Sequence, residues 1–307
     1  SEPSSIAAGP DGNLWFTEFR GNKIGRISPT GAIAEFPVPT ASSGPTGITA
    51  GPDGNLWFTE YDGKIGRLAL TITEFPVPTA ASEPTGIAAG PDGNLWFTEG
   101  AGNQIGRISP TGAINEFPIL TAASSPQGIA AGPDGNLWFT ESDGNKIGRI
   151  SPTGIITKFP IPTAASSPQD ITAGPDGNLW FTESDGNKIG RISPTGIITE
   201  FPIPTAASSP QGIVAGPDGN LWFTEGSGNK IGRISPIGTI TEFNVPTASS
   251  RPTGIAAGPD GNLWFTELTG NKIGALLHDD ASWLVRSIFG NDKQIYIASL
   301  VRSAFGV

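Results

Sequence analysis

The chain has 307 residues, with 18 Lys and Arg against 28 Asp and Glu, a net charge of −10. That sign argues against a nucleic-acid or anionic-membrane partner, which a basic face would recruit, and no apolar run is long enough to span a bilayer. There is no Cys and one His, His278, which excludes disulfide scaffolds, zinc–thiolate sites and Cys nucleophiles and leaves little room for imidazole chemistry.

The chain opens at Ser1 with no Met, which reads as a processed or trimmed start. The string GPDGNLWFTE then occurs seven times, beginning at Gly9, Gly51, Gly90, Gly132, Gly174, Gly216 and Gly258, at spacings of 42, 39, 42, 42, 42 and 42 residues. A fixed period near 40 residues marks stacked supersecondary units. The second unit is short because its turn after Glu60 reads Tyr61-Asp62-Gly63 and its next turn lacks Ser-Pro-Thr-Gly. Both deletions fall in hairpin loops, where length changes cost least.

The fourth unit is typical. Strand A is predicted over Gly128–Gly132, strand B over Asn136–Glu141, strand C over Lys146–Ser151 and strand D over Ile155–Pro160. The segments between them are turn chemistry, since Pro presets φ and Gly or Asn accepts positive φ. The strands are β-branched and aromatic, and the three-and-four spacing of an amphipathic helix is missing. Four antiparallel strands in about 42 residues make a propeller blade. The prediction is therefore an all-β, seven-bladed β-propeller over residues 1–288, with four antiparallel strands per blade. An open solenoid is disfavoured because neither end carries a polar capping repeat.

The loop from Glu141 to Lys146 sets these two residues facing each other, then Thr140 with Ile147, Phe139 with Gly148, and Trp138 with Arg149. Gly148 leaves room for Phe139 to lie flat, and Arg149 stacks on Trp138 as a cation–π pair of roughly 0.5–2 kcal/mol. The repeat tryptophans, Trp15 to Trp264, are read as inter-blade core, with an exposed sugar-stacking ring as the alternative. Stretches such as 162–168 are read as extended connectors.

Blade seven departs from the pattern. Ala275 stands where earlier blades have Arg, and His278-Asp279-Asp280 stands in place of Ser-Pro-Thr-Gly. His278 is therefore read as a solvated turn residue, on the face opposite the B–C loops or well out from the axis. Ser282–Ile288 lands where strand D belongs. Residues 289–307 form a C-terminal extension, in which 294–301 is an extra strand that either extends the outer edge of blade seven or seals the ring against blade one. An amphipathic helix over 294–305 is the alternative.

The run PDGNLWFTE, followed by GNKIGRISPTG and ITEFPIPT, resembles the virginiamycin B lyase, or streptogramin lyase, family over residues 3–276. The resemblance implies a seven-bladed propeller. For an active member it also implies Mg²⁺-dependent opening of a cyclic depsipeptide antibiotic by elimination at its ester, using two His residues and a Glu. The family's His lies just before strand A in a Pro-His-Gly-Ile context. The matching positions here are Ser4, Thr46, Thr85, Gln127, Gln169, Gln211 and Thr253, and none is His. The family's Glu matches Glu18, Glu60, Glu99, Glu141, Glu183, Glu225 and Glu267. Proton abstraction beside a carbonyl needs a base that titrates near neutral pH, which Thr and Gln do not. No catalytic residue is assigned, and the balance is against an enzyme.

These two rings are the candidate site at the mouth of the central channel. The expectation for the glutamates is a set of exposed ion pairs worth about 0–1 kcal/mol each: Glu18–Lys23, Glu60–Lys64, Glu141–Lys146, Glu183–Lys188, Glu225–Lys230 and Glu267–Lys272. Glu99 faces Gln104 instead. The alternative is that crowded carboxylates, Glu99 first, hold Mg²⁺ or Ca²⁺; the main reading needs no cofactor. Three functions compete. The first is a non-catalytic scaffold or binding module for an unidentified ligand, such as a repetitive glycan or peptide, with avidity from equivalent sites. The second is a lyase of the family, cytoplasmic in that case. The third is an engineered or recently amplified repeat chain without selected activity. The expected protein is a secreted monomer with no nucleic-acid or membrane partner.

Overall fold

A computed structural model describes residues 1–279, 282–288 and 296–297. Each repeat folds into an antiparallel sheet whose strands lie in chain order, and seven such sheets surround one axis as a β-propeller. The A strands are innermost, and successive ones are neighbours right round the ring. Pro252–Ala257 of blade seven lies against Pro3–Ala8 of blade one.

In blade four the strands are Pro126–Ala131, Leu137–Glu141, Lys146–Ile150 and Ile156–Pro160. The B–C register is the one read from the sequence, from Glu141–Lys146 to Trp138–Arg149. Strand A starts two residues earlier than expected. Pro126 pairs with Glu141, and pairing resumes at Ile129–Phe139 after a β-bulge.

The apolar core lies between blades. Trp57, Trp96, Trp138, Trp180, Trp222 and Trp264 are buried, and so is Trp15, so they are core and not a sugar platform. A Cβ on Gly148 would sit 2.1 Å from Phe139 Cζ, so glycine is what lets that ring lie flat. Arg149 lies 5.4 Å over Trp138, which stacks in turn on Phe159 of strand D. The indole Nε1 of Trp138 donates to Asp134 Oδ1 at 3.0 Å, and Asn136 donates to the same carboxylate. The Asp of each PDGN loop is thus a turn cap and an indole anchor.

Successive blades are also joined by a polar ring that the sequence reading did not single out. Thr140 Oγ1, at the bulge, accepts the Gly128 N–H at 2.9 Å and donates to Gln169 O of blade five at 2.8 Å. Thr17, Thr59, Thr98, Thr182 and Thr224 repeat the donation, and Thr266 closes the circle on Ser4 O at 2.9 Å.

The connectors are pinched, not extended. Ala165 and Ser167 take positive φ of 49° and 52° because the Asn145 amide holds both sides of the segment. It donates to Thr163 O and accepts from Ser166 N and Oγ.

In blade seven strand C runs over Lys272–Asp279, so His278 is a strand residue and not a turn residue. It is exposed at the end away from the B–C loops, and its N–H donates to Asn262. Ser282–Ile288 pairs with this strand as strand D, and Tyr296–Ile297 adds to the outer edge of the blade. The rest of the 294–301 strand, and the helix alternative, fall outside the described residues.

Thr140→Val keeps the shape of the side chain and removes both of its hydrogen bonds, one of them to an otherwise buried strand N–H. The expected loss is about 1–3 kcal/mol, read from equilibrium urea unfolding; an unchanged midpoint would contradict the joining role of the ring.

Candidate functional site

Strand A begins, and strand B ends, on the face that carries the B–C loops. That brings Ser4, Thr46, Thr85, Gln127, Gln169, Gln211 and Thr253 together around the channel mouth. Their side chains divide by chemistry. The threonines fold back on the polar ring: Thr46 lies 2.8 Å from Thr59 Oγ1, Thr85 2.8 Å from Thr98 Oγ1 and Thr253 2.9 Å from Thr266 Oγ1. The glutamines reach toward the loops. Gln169 Nε2 donates to Ser142 Oγ and Ser167 Oγ, and Gln211 Nε2 donates to Ser184 Oγ and Ser209 Oγ. Gln127 Nε2 donates to Ser125 Oγ at 3.1 Å. The mouth therefore carries an amide arc on blades four to six and hydroxyls elsewhere.

A cavity of about 550 Å³ opens on this face, lined by Tyr61, Glu83, Thr85, Ser125, Gln127 and Asp143. Tyr61 packs edge-on against Phe19 with ring centroids 5.9 Å apart. A hydrogen bond to the Glu83 carboxylate, with some burial, pushes its hydroxyl above the ordinary tyrosine range. The rim is thus aromatic on blades one and two and polar on blades four to six.

The glutamate ring is not at the mouth. Glu60, Glu99, Glu141, Glu183, Glu225 and Glu267 have no accessible surface, and Glu18 has 2%. They lie beneath the B–C loops; the place of a Cβ on Gly144 is 2.8 Å from a Glu141 carboxyl oxygen. The carboxyl oxygens of the glutamates from Glu60 to Glu267 make no close hydrogen bond among the described residues, although the hydroxyls of Ser43, Ser82, Ser166 and Ser208 lie alongside Glu60, Glu99, Glu183 and Glu225 and partly offset the effect of burial. The expected exposed Glu–Lys pairs are replaced. Lys23, Lys188 and Lys230 bond to Glu35, Glu200 and Glu242 of strand D, and Lys64 bonds to Asp62. Lys146 donates to Gly144 O, and Lys272 to Thr247 Oγ1. Glu141 does meet a cation, Lys158 at 4.0 Å, which blade four carries in place of the strand D glutamate.

Burial, reinforced by the strand D carboxylate alongside, pushes Glu60, Glu99, Glu183 and Glu225 up to about 8 and Glu18 up to about 7. Such values suit general acid–base work, but these groups are sealed off from the mouth. Glu99 is buried with the Glu116 carboxyl alongside, whereas Mg²⁺ and Ca²⁺ take several oxygen ligands. Among the described residues no group of three or more His, Asp or Glu side chains converges as a metal site.

One titratable group in the channel wall went unnoticed in the sequence. Asp170 replaces the glycine that most blades carry after the ring position, and its only signal was the reading PQD where blades four and six read PQG. Its Oδ1 accepts the Ile171 N–H at 2.9 Å and its Oδ2 accepts the Ile213 N–H of blade six at 3.0 Å. Burial pushes its carboxyl up to about 6 against the pull of those two donors.

A profile of the Virginiamycin B lyase family matches residues 1–168 and 62–282. The chain belongs to this family. Among solved structures, one described as a streptogramin B lyase is 43% identical, with a TM-score of 0.86 over 90% of this chain and 93% of the other. A catalytically inactive histidine-to-alanine variant of virginiamycin B lyase from Staphylococcus aureus, solved with quinupristin, is also 43% identical at a TM-score of 0.86, over 89% of this chain and 94% of the other. The virginiamycin B lyase of Bordetella bronchiseptica is 58% identical over 36 residues, a match that spans 12% of each chain. The WD40 propeller domain of Doa1, at 12% identity and a TM-score of 0.74, shares the fold alone.

A glutamate raised from 4.5 to about 8 binds its proton more tightly in the folded chain. Its contribution to stability is complete below pH 4.5 and is lost as the pH rises toward 8. Glu183→Gln should therefore raise the melting temperature relative to the parent at pH 8.5 and change it little at pH 4. Thermal melts at both pH values check this; equal shifts would mean that folding does not raise the Glu183 pKa.

Proposed function

We propose that this chain is a non-catalytic binding propeller of the virginiamycin B lyase family. It takes a cyclic, peptide-like ligand at the mouth and leaves the ligand's ester intact. The observation that carries this reading is the chemistry of the ring before strand A. Where the family places imidazole, this chain has hydroxyls and amides, and the threonines among them are already bonded to the blade-joining ring. Its one histidine is exposed on the opposite face. The inactivity of a Staphylococcus aureus lyase lacking one histidine supports the same conclusion.

What the mouth offers is recognition. Glutamine amides on blades four to six can give and accept hydrogen bonds with peptide groups, and the Phe19–Tyr61 edge offers an apolar surface to a ring substituent. Neither amides nor hydroxyls titrate near pH 7, so no residue of the ring removes a proton beside a carbonyl. The 43% identity to a streptogramin B lyase favours a second reading, in which elimination survives on another base.

One assay separates the two. Incubated with a streptogramin B and Mg²⁺, the protein should leave the macrocycle intact by mass spectrometry while binding it by calorimetry. Gln169→Ala should weaken that binding about tenfold, the worth of one or two hydrogen bonds. A linearised product would overturn the proposal, and so would a failure to bind.

A further inference from the structure

On the face opposite the channel mouth, the C–D turns of blades three to six each cover part of the blade before them. Pro110, in the Ser-Pro-Thr-Gly turn of blade three, accepts from Arg67 Nη1 of blade two through its carbonyl at 2.9 Å. Pro152, Pro194 and Pro236 do the same for Arg107, Arg149 and Arg191 at 3.1, 3.1 and 3.0 Å. The glycine of the turn lies on the strand D ring. A Cβ on Gly112 would stand 2.3 Å from Phe75 Cε1, and Gly154, Gly196 and Gly238 sit in the same way on Phe117, Phe159 and Phe201. Beneath each cap the guanidinium rests on two rings beside a carboxylate. Arg107 is 5.4 Å over Trp96, 5.6 Å over Phe117 and 3.8 Å from Asp92.

Blade one has the same stack without the cap. Arg26 lies 5.7 Å over Trp15 and 6.0 Å over Phe36, with Asp11 3.9 Å away. Between the paired residues Leu68 and Ile72, blade two has only Ala69-Leu70-Thr71, where blade three has residues 109–113 between Ile108 and Ile114. The shortening removes both the prolyl carbonyl and the glycine, and Leu70 stands fully exposed. Arg26 meets no backbone carbonyl among the described residues. Its side chain is 42% exposed against 28% for Arg107, and that of Asp11 is 36% exposed against 16% for Asp92. The result is an open cavity of about 460 Å³ walled by Trp15, Phe36, Arg26, Asp11 and Leu68, a size that ligands fill.

We infer that this pocket between blades one and two binds a Pro-Thr-Gly turn of another polypeptide. Complementarity of charge and shape selects the occupant. Asp11 already balances the Arg26 guanidinium, so a carboxylate ligand would be repelled and a neutral carbonyl would not. A neutral carbonyl is what Arg107, Arg149 and Arg191 take beside Asp92, Asp134 and Asp176. A glycine, having no Cβ, lets the backbone of the turn lie on the Phe36 ring as Gly112 lies on Phe75. The opening comes from the shortened turn within blade two, and it lies on the face away from the channel mouth, so the inference does not depend on the ligand proposed there.

The probe is a fluorescein-labelled, backbone-cyclised peptide enclosing Ile-Ser-Pro-Thr-Gly-Ala-Ile, the sequence of residues 108–114; ring closure lowers the entropic cost of ordering the turn. Titrated against the full chain by fluorescence anisotropy, it should show saturable one-to-one binding. Arg26→Gln should weaken that binding about tenfold, whereas Arg67→Gln, the same residue under a filled cap, should leave it unchanged. A variant in which Ser-Pro-Thr-Gly-Ala replaces residues 69–71 covers the stack from within and should not bind the peptide. Absence of binding to the parent chain would overturn the inference. Undiminished binding to the variant with the restored turn, or equal losses with Arg26→Gln and Arg67→Gln, would overturn it too.

Discussion

The circle of threonine hydroxyls is the constraint on which the rest of the molecule depends. Each Thr at the end of strand B must accept from its own strand A and donate to a carbonyl of the next blade. That contact sits at the β-bulge within each innermost strand. It also keeps the following position small, since a Cβ on Gly128 would stand 2.7 Å from Gln169 O. A single such bond adds little net stability, about 0.5–1.5 kcal/mol. Seven of them fix the spacing of the A strands and so the width of the channel. Asp170 is accommodated there by turning its carboxylate onto the Ile213 N–H, so it too joins two blades, as an acceptor where the threonines donate.

The ring also governs what the mouth can do. Thr46, Thr85 and Thr253 spend their hydroxyls on it, whereas the longer Gln127, Gln169 and Gln211 clear it and reach the serines of the loops. Nearly identical blades thereby produce an asymmetric rim, because a small change of side-chain length moves a polar group from the wall to the surface. The rim displays dipoles and an aromatic edge, the features on which the proposed reading as a binding propeller rests.

The buried glutamates belong to the packing between blades. Burial pushes the carboxyls of Glu60, Glu99, Glu183 and Glu225 up, and the strand D carboxylates alongside push the same way. Glu200 and Glu242 are held below the ordinary glutamate range, against their partial burial, by hydrogen bonds from strand C lysines and connector threonines. The Glu that matches the family's catalytic carboxylate is therefore repeated seven times as an interior group.

The repeat period, the strand count, the B–C register, the buried tryptophans and the Arg149–Trp138 stack were all legible in the sequence, because each follows from local spacing and from the alternation of side chains along a strand. The absence of imidazole from the ring positions was equally plain. The sequence could not reveal that Glu141 and its equivalents lie under the loops, that lysines facing them in register turn to strand D, or that Thr140 bonds to the next blade. It also passed over Asp170 as one substitution among many. Those outcomes rest on contacts between blades, between residues far apart in the chain. Local pattern specified each sheet; only the closing of seven sheets on a common axis determined which polar groups were sealed in, which were bonded across a junction, and which were left facing the mouth.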